Sequence, residues 1–150
     1  MFDALRRLLG QTTEPSEEDE QLGLQQGVAA LLYEMTRMDM QVRTEDLSAA
    51  RAALSDLFGI TDDAARDLLH QASEAANRLT SYHEAVSAIN RRFDAHTKIR
   101  LVEHLWRVAY ADNDLDLHED HLARKISDLL YVPHVQSMLA RQRVREGLKS

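Results

Sequence analysis

Apolar side chains recur at intervals of three and four along most of this chain, the period of a helix with one buried face. From Gln21 the stripe is Leu24, Val28, Leu31, Leu32, Met35 and Met38, running to Asp39. A short connection leads to Thr44, whose hydroxyl suits an N-cap, and to a second helix ending near the motif LFGIT. Within that motif Gly59 suits the C-terminal cap, and Thr61 the N-cap of a third helix opening DDAARDLL. The motif SYHE, beginning at Ser81, reads as the capping box of a fourth helix through Ala85, Ile89 and Phe93. Leu101, Val102, Leu105, Val108 and Ala109 carry a fifth that stops at Asp112, and a sixth spans 117–130. Pro133 opens a seventh over 134–146. No segment alternates with period two, so the expected fold class is all-α: a compact bundle of about seven helices.

Ahead of these lies MFDALRRLLG, with Phe2, Leu5, Leu8 and Leu9 on one helical face and Arg6 and Arg7 elsewhere. A helix this short docks on its own domain or frays; its pattern would also suit a membrane surface or a partner groove. The acidic stretch QTTEPSEEDE then runs as a linker into the first turn of the next helix, where negative charge suits the dipole. The expected division is a short helix and linker over 1–20 and a helical domain over 21–150.

Two halves of the pattern match. GVAALLYEMTRMD aligns with RLVEHLWRVAYAD, pairing Val28 with Leu101, Leu32 with Leu105, Tyr33 with Trp106 and Asp39 with Asp112. After the loop, LSDLFGIT aligns with ISDLLYVP, one residue out of step. Each half is helix, acidic loop, helix, short turn, helix, which reads as a duplicated three-helix unit.

Composition narrows the function classes. There are 150 residues, 44% of them hydrophobic and 29% charged, which suits a globular chain able to bury a core. The absence of cysteine removes disulfides, thiolate nucleophiles and Cys-based metal sites. A net charge of −7 disfavours nucleic acid, whose phosphates attract Lys and Arg. No apolar run is long enough to span a bilayer and no leader pattern opens the chain, so a cytoplasmic location is expected. The basic stretch RQRVREGLK near the end places cations where a helix C-terminus favours them.

The stretch AYADNDLDLHEDHLARK holds five carboxylates within nine residues, Asp112 to Asp120. Asp116 as N-cap, Glu119 as the return half of a capping box and Asp120 in the first turn have ordinary explanations. Asp112 and Asp114 do not: Asp112 closes a helix whose terminal carbonyls are already negative. Two carboxylates about 4 Å apart repel by roughly 1 kcal/mol even in water, and a bound cation would turn that repulsion into ligation. Asp112, Asp114, Asp116 and Glu119 can converge their oxygens, and an all-oxygen set favours Ca²⁺, then Mg²⁺ or Mn²⁺. The loop begins like an EF-hand, but Leu117 takes the glycine position and Ala123 that of the bidentate glutamate, which excludes a standard one. The first half keeps Asp39 and Glu45 or Asp46, with Gln41 and Arg43 in place of acids. His118 and His121, one turn apart, suit a soft metal or, more simply, an acidic surface. The residues alone leave cation binding and a capped, solvated junction both open.

The repeated plan of helix, AD-x-D-x-D-x-x-E loop and helix, most complete in EHLWRVAYADNDLDLHEDHLARKISDLLYVP, resembles the TerB-like tellurite-resistance family. The resemblance implies resistance to tellurite and other stresses, divalent-metal binding, and a protein partner in membrane-associated assemblies. A related domain accompanies some membrane-anchored DnaJ-like proteins. The family's acidic positions carry over to Asp112, Asp114, Asp116 and Glu119, and to Asp39 with Asp46. Asn113 stands where the family has glycine and preserves the turn, since Asn tolerates the left-handed conformation. Gln41 and Arg43 depart from a fully acidic first loop and speak against a two-ion arrangement.

The leading expectation is therefore a non-enzymatic, metal-responsive interaction module of a stress-response system, cytoplasmic or peripheral at the inner face of the membrane. The alternatives are a metal-independent helical adaptor that docks a basic partner on its acidic surface, and a metal-dependent hydrolase. For the last, Glu119 and His118 are the acid/base candidates, with no phosphate loop or nucleophile elbow beside them.

Overall fold

The computed structural model describes residues 16–37, 44–75, 83–111 and 117–148. These form seven helices: α1 Glu17–Thr36, α2 Thr44–Phe58, α3 Asp62–Ala75, α4 His83–Arg92, α5 Ala95–Ala109, α6 Leu117–Leu129 and α7 His134–Leu148. No strand occurs among the described residues. The segment 1–10, Met38, Asp39, Ser81 and residues 112–116 lie outside them, as do the expectations placed there.

Local chemistry accounts for the helix ends. Ser16 caps α1, its Oγ accepting from the Asp19 amide at 3.1 Å, and Glu17 to Glu20 fill the first turn. Asp94 caps α5 through the Thr97 amide at 2.8 Å, a hydroxyl and amide environment that holds its carboxyl below the ordinary range. Thr61 caps α3 as expected, accepting from Ala64 at 3.1 Å. Three boundaries differ from the expected ones. Thr44 is the first residue of α2 rather than its cap. α1 ends at Thr36 with Arg37 as C-cap, and α5 ends at Ala109 with Tyr110 as C-cap. The apolar stripe continues past the point where the backbone leaves the helix: the Ala111 amide has already turned to the Val108 carbonyl, at 3.2 Å.

The two three-helix units are α1–α2–α3 and α5–α6–α7, with α4 between them in sequence and packed on α1. Within each unit the first helix packs on the third, and α2 packs on α5 across the units. The aligned pairs Val28 and Leu101, and Leu32 and Leu105, are all fully buried, and Leu54 and Ile126 join them. Gly27 sets the approach of α4: a Cβ there would stand 3.2 Å from the Ala85 Cα.

The turns after α2 and α6 repeat the same left-handed step, at Gly59 (φ 65°) and Tyr131 (φ 60°). After α6 the Tyr131 amide donates to the Asp128 carbonyl and the Val132 amide to that of Ser127, both at 3.0 Å, a Schellman pair. After α2 a single bond, Gly59 amide to Ser55 carbonyl at 2.9 Å, closes the turn. A Cβ at Gly59 or at Gly23, inside α1, would meet no atom of the described residues within 4 Å, so backbone conformation is what separates these two sites. Gly59→Ala is expected to cost about 1–2 kcal/mol, because an L-residue resists the left-handed region. Gly23→Ala is expected to gain about 0.4–1 kcal/mol, because α1 suits alanine and the unfolded chain loses freedom. Urea midpoints moving in the same direction for both would contradict this account.

Candidate functional site

The acidic stretch opens onto α6. Glu119, the third helical residue, is buried, with 4% of its surface exposed, while His118 and His121 beside it are exposed. Asp120 follows on the inner side. Its Oδ2 accepts from Arg124 Nε at 2.8 Å across one turn, the i, i+4 spacing of a helix ion pair. Its Oδ1 is buried and, among the described residues, has no hydrogen-bond donor, and Arg141 Nη2 stands at 4.0 Å. Arg141 is held by other contacts: its Nε donates to the Tyr110 hydroxyl at 3.0 Å and its guanidinium lies 5.5 Å from the centre of the Trp106 ring. Tyr110 is the C-cap of α5, so the orphaned oxygen sits between the helix that enters the acidic segment and the helix that leaves it. Buried acceptors are normally satisfied by a donor, an ordered water or an ion, and a carboxylate oxygen is a hard-cation ligand. Among the described residues this oxygen is a single ligand of that kind, with Arg124 and Arg141 on the same carboxylate.

In the first unit Asp46, third residue of α2, matches Glu119 and is equally buried at 4%. The copy stops there. Leu47 stands where the second unit has Asp120, and Arg51, the counterpart of Arg124 counted from the loop, pairs with Asp62 on α3 at 3.0 Å. Asp39, Asp112, Asp114 and Asp116 lie outside the described residues, so among the expected ligands the structure places Asp46 and Glu119. Among the described residues no three His, Asp or Glu side chains gather at one point.

Two features were missed in the sequence. Asp120 has an ordinary first-turn explanation, and only burial distinguishes its two oxygens. The second is His104, which occupies a core position equivalent to Leu31 and is 5% exposed. Its Nε2 lies 2.7 Å from Asp56 Oδ2 on α2, and its Nδ1 lies 3.2 Å from Arg107 Nη1. Guanidinium can only donate, so Nδ1 is the acceptor and Nε2 carries the proton to Asp56. Arg100 donates to the same Asp56 oxygen at 3.1 Å, while Glu103 receives Arg107 at 2.9 Å and also pairs with Arg143. Burial pushes the His104 imidazole below its usual range, the Asp56 hydrogen bond opposes that, and the Arg107 charge adds to it. Asp56 is held below the carboxylate range by the hydrogen bond from His104 and then by that from Arg100. This network joins the two units; its imidazole has both nitrogens engaged.

The fold, the doubled unit and the acids at each junction meet in one comparison: the family model described as tellurite resistance protein TerB matches residues 25–142. The chain belongs to the TerB family. The match runs from inside α1 to inside α7 and takes in both three-helix units and both acidic segments of this TerB chain. The family is all-α, associated with tellurite resistance, and is not a classical enzyme family. Comparisons of this TerB chain with curated proteins and with solved structures give no match.

Proposed function

We propose that this TerB chain binds a divalent cation at the acidic segment preceding α6 and acts, without catalysis, through protein interactions in a tellurite- or stress-resistance system. The observation that supports the cation is the buried Oδ1 of Asp120, without a hydrogen-bond donor among the described residues, with the buried Glu119 preceding it in sequence and Asp112, Asp114 and Asp116 just upstream. All-oxygen ligation favours Ca²⁺ first, with Mg²⁺ and Mn²⁺ behind it. The second ion is not proposed, because Leu47, Gln41 and Arg43 remove acids from the first segment. The engagement of both His104 nitrogens supports the non-catalytic reading, since neither offers a lone pair to a substrate. No helix among the described residues is long and apolar enough to cross a membrane. The proposed location is the cytoplasm, against membrane-associated partners.

Calorimetry with Ca²⁺, Mg²⁺ and Mn²⁺ tests the reading on wild type, Asp112→Asn/Asp114→Asn and Asp120→Asn. Saturable heat with Ca²⁺ in the wild type, lost in both variants, is expected. At a free concentration one hundred times Kd the wild type gains about 2.7 kcal/mol of stability. Equal, negligible heats in all three proteins overturn the cation site.

A second reading, a metal-independent adaptor for a basic partner, is favoured by one feature, the exposed acidic turn at the head of α1, where Glu17 and Glu20 pair with Arg92 and Glu18 and Asp19 stand exposed beside them. It predicts partner retention that falls with salt and is indifferent to EDTA, whereas the cation reading predicts loss with EDTA.

A further inference from the structure

Two guanidinium groups stand on the Asp120 carboxylate, and they come from different helices. Arg124 of α6 donates to Oδ2 at 2.8 Å, and Arg141 of α7 places Nη2 4.0 Å from Oδ1. The Asp120 side chain is 16% exposed and that of Arg141 25%, so water screens this pair only in part. Arg141 is also fixed on its other side, by the Tyr110 hydroxyl at 3.0 Å and the Trp106 ring at 5.5 Å. The first unit lacks the arrangement: Leu47 and Leu69 stand at the places of Asp120 and Arg141, and Arg51, at that of Arg124, pairs with Asp62. Leu69 is buried, so an apolar side chain serves the packing at that place. A partly buried ion pair gains little over apolar side chains of similar size. What the arginine adds is charge.

We propose that Arg141 is a built-in cation that competes with the divalent ion for the Asp120 carboxylate and thereby lowers the affinity of the site before α6. This rests on the cation reading above and adds its regulation. A carboxylate oxygen that ligates a divalent ion gives up its pairing with guanidinium, and the ion then meets the guanidinium charge at close range. In water a divalent and a single charge roughly 8 Å apart repel enough to change an affinity about fivefold at low ionic strength. The bond to Tyr110 and the seat on Trp106 keep the Arg141 charge in place when the ion arrives, so the repulsion is part of the fold. Arg124 differs: it lies on the surface of α6 itself and is 37% exposed, so it can turn to solvent. The site is thus set to fill at higher ion concentrations than its oxygens alone would require.

Calorimetric titration of the full chain with Ca²⁺ at low ionic strength tests this on the wild type and four variants. Arg141→Leu installs the side chain that the first unit carries at this place, and Arg141→Gln keeps a donor for the Tyr110 hydroxyl without the charge. Arg141→Lys keeps the charge, and Arg145→Leu removes an exposed charge one turn further along α7. Both neutral variants at position 141 are expected to bind about fivefold more tightly than the wild type, with Arg141→Lys and Arg145→Leu within about twofold of it. Unchanged or weaker binding in Arg141→Leu and Arg141→Gln overturns the competition and leaves the cation reading standing. A gain as large in Arg145→Leu would make net charge the cause and overturn the role of Arg141. A wild type without Ca²⁺ heat removes the cation reading, and this inference with it.

Discussion

Truncating Trp106 to alanine is expected to destabilise the protein by about 3–5 kcal/mol. Against a typical total of roughly 5–15 kcal/mol, that is enough to unfold a sizeable fraction of the molecules. Trp106 is fully buried on α5, and its indole N–H donates to Ser137 Oγ on α7 at 3.3 Å. Ser137 lies 3.0 Å from Ser127 Oγ on α6, which donates to the Ala123 carbonyl at 2.7 Å. Each hydroxyl has one proton, so the chain has one direction, Trp106 to Ser137 to Ser127 to the Ala123 carbonyl. Alanine opens a cavity and strands this buried relay at its first donor. Trp106→Phe keeps most of the volume and is expected to cost about 1–2 kcal/mol for the unmet polar partner. Trp106 is the single tryptophan, so guanidinium unfolding followed by its fluorescence serves the wild type, and helical circular dichroism serves the variants. A loss below about 1 kcal/mol for alanine would mean the second unit does not depend on this residue.

Mild acid is the second large effect expected. His104 is neutral in the native state, and its folded pKa lies below the unfolded value because of burial, the Asp56 bond opposing and Arg107 adding. The folded protein therefore binds fewer protons than the unfolded chain once pH falls under about 6.5. Stability is full above that value and is lost as pH falls toward the lowered folded pKa, with a steepest slope of about 1.4 kcal/mol per pH unit for one proton. Protonation places an N–H at Nδ1 against the Arg107 guanidinium, so the bond at 3.2 Å cannot survive. Asp56 acts in a separate window: its lowered pKa stabilises the fold above the ordinary carboxylate range and is lost in stronger acid. His104→Gln keeps an amide donor toward Asp56 and has nothing to titrate. Urea midpoints between pH 7 and 5 should fall for the wild type and stay flatter for the variant. A wild type with an unchanged midpoint, or parallel falls in both, removes His104 as the cause.

Much of the fold could be read from spacing because burial here follows helical period. Leu24, Val28, Leu31, Leu32 and Met35 are buried as their register requires, and so are Leu101, Val102, Leu105 and Val108. Gly59 and Thr61 mark a boundary because each does one backbone job. Boundaries without such a residue were harder: nothing in YEMTRMD or WRVAYAD marks Thr36 or Ala109 as the last helical position, since the apolar pattern of the sequence runs on past both, and Tyr110 stays buried after α5 has ended. Tyr131 hides a left-handed turn that only alignment with Gly59 could suggest. At the candidate site the acids were visible as a cluster, but which oxygen lacks a donor depends on where Arg141 arrives from α7, twenty-one residues beyond Asp120. His104 looked like a polar interruption of an apolar face, and its meaning lay in Asp56, forty-eight residues away.

Arg141 makes the last helix a gauge of conditions at the mouth of the preceding one. One guanidinium on α7 is shared among an indole face on α5, the phenol at that helix's C-cap and a carboxylate on α6. A change in the charge at Asp120 acts on Arg124 one turn along α6 and on that arm, and the arm is rooted in α7. Local electrostatics is thereby geared to the seating of α7, whose outer face displays Val135 and Leu139 to the surroundings.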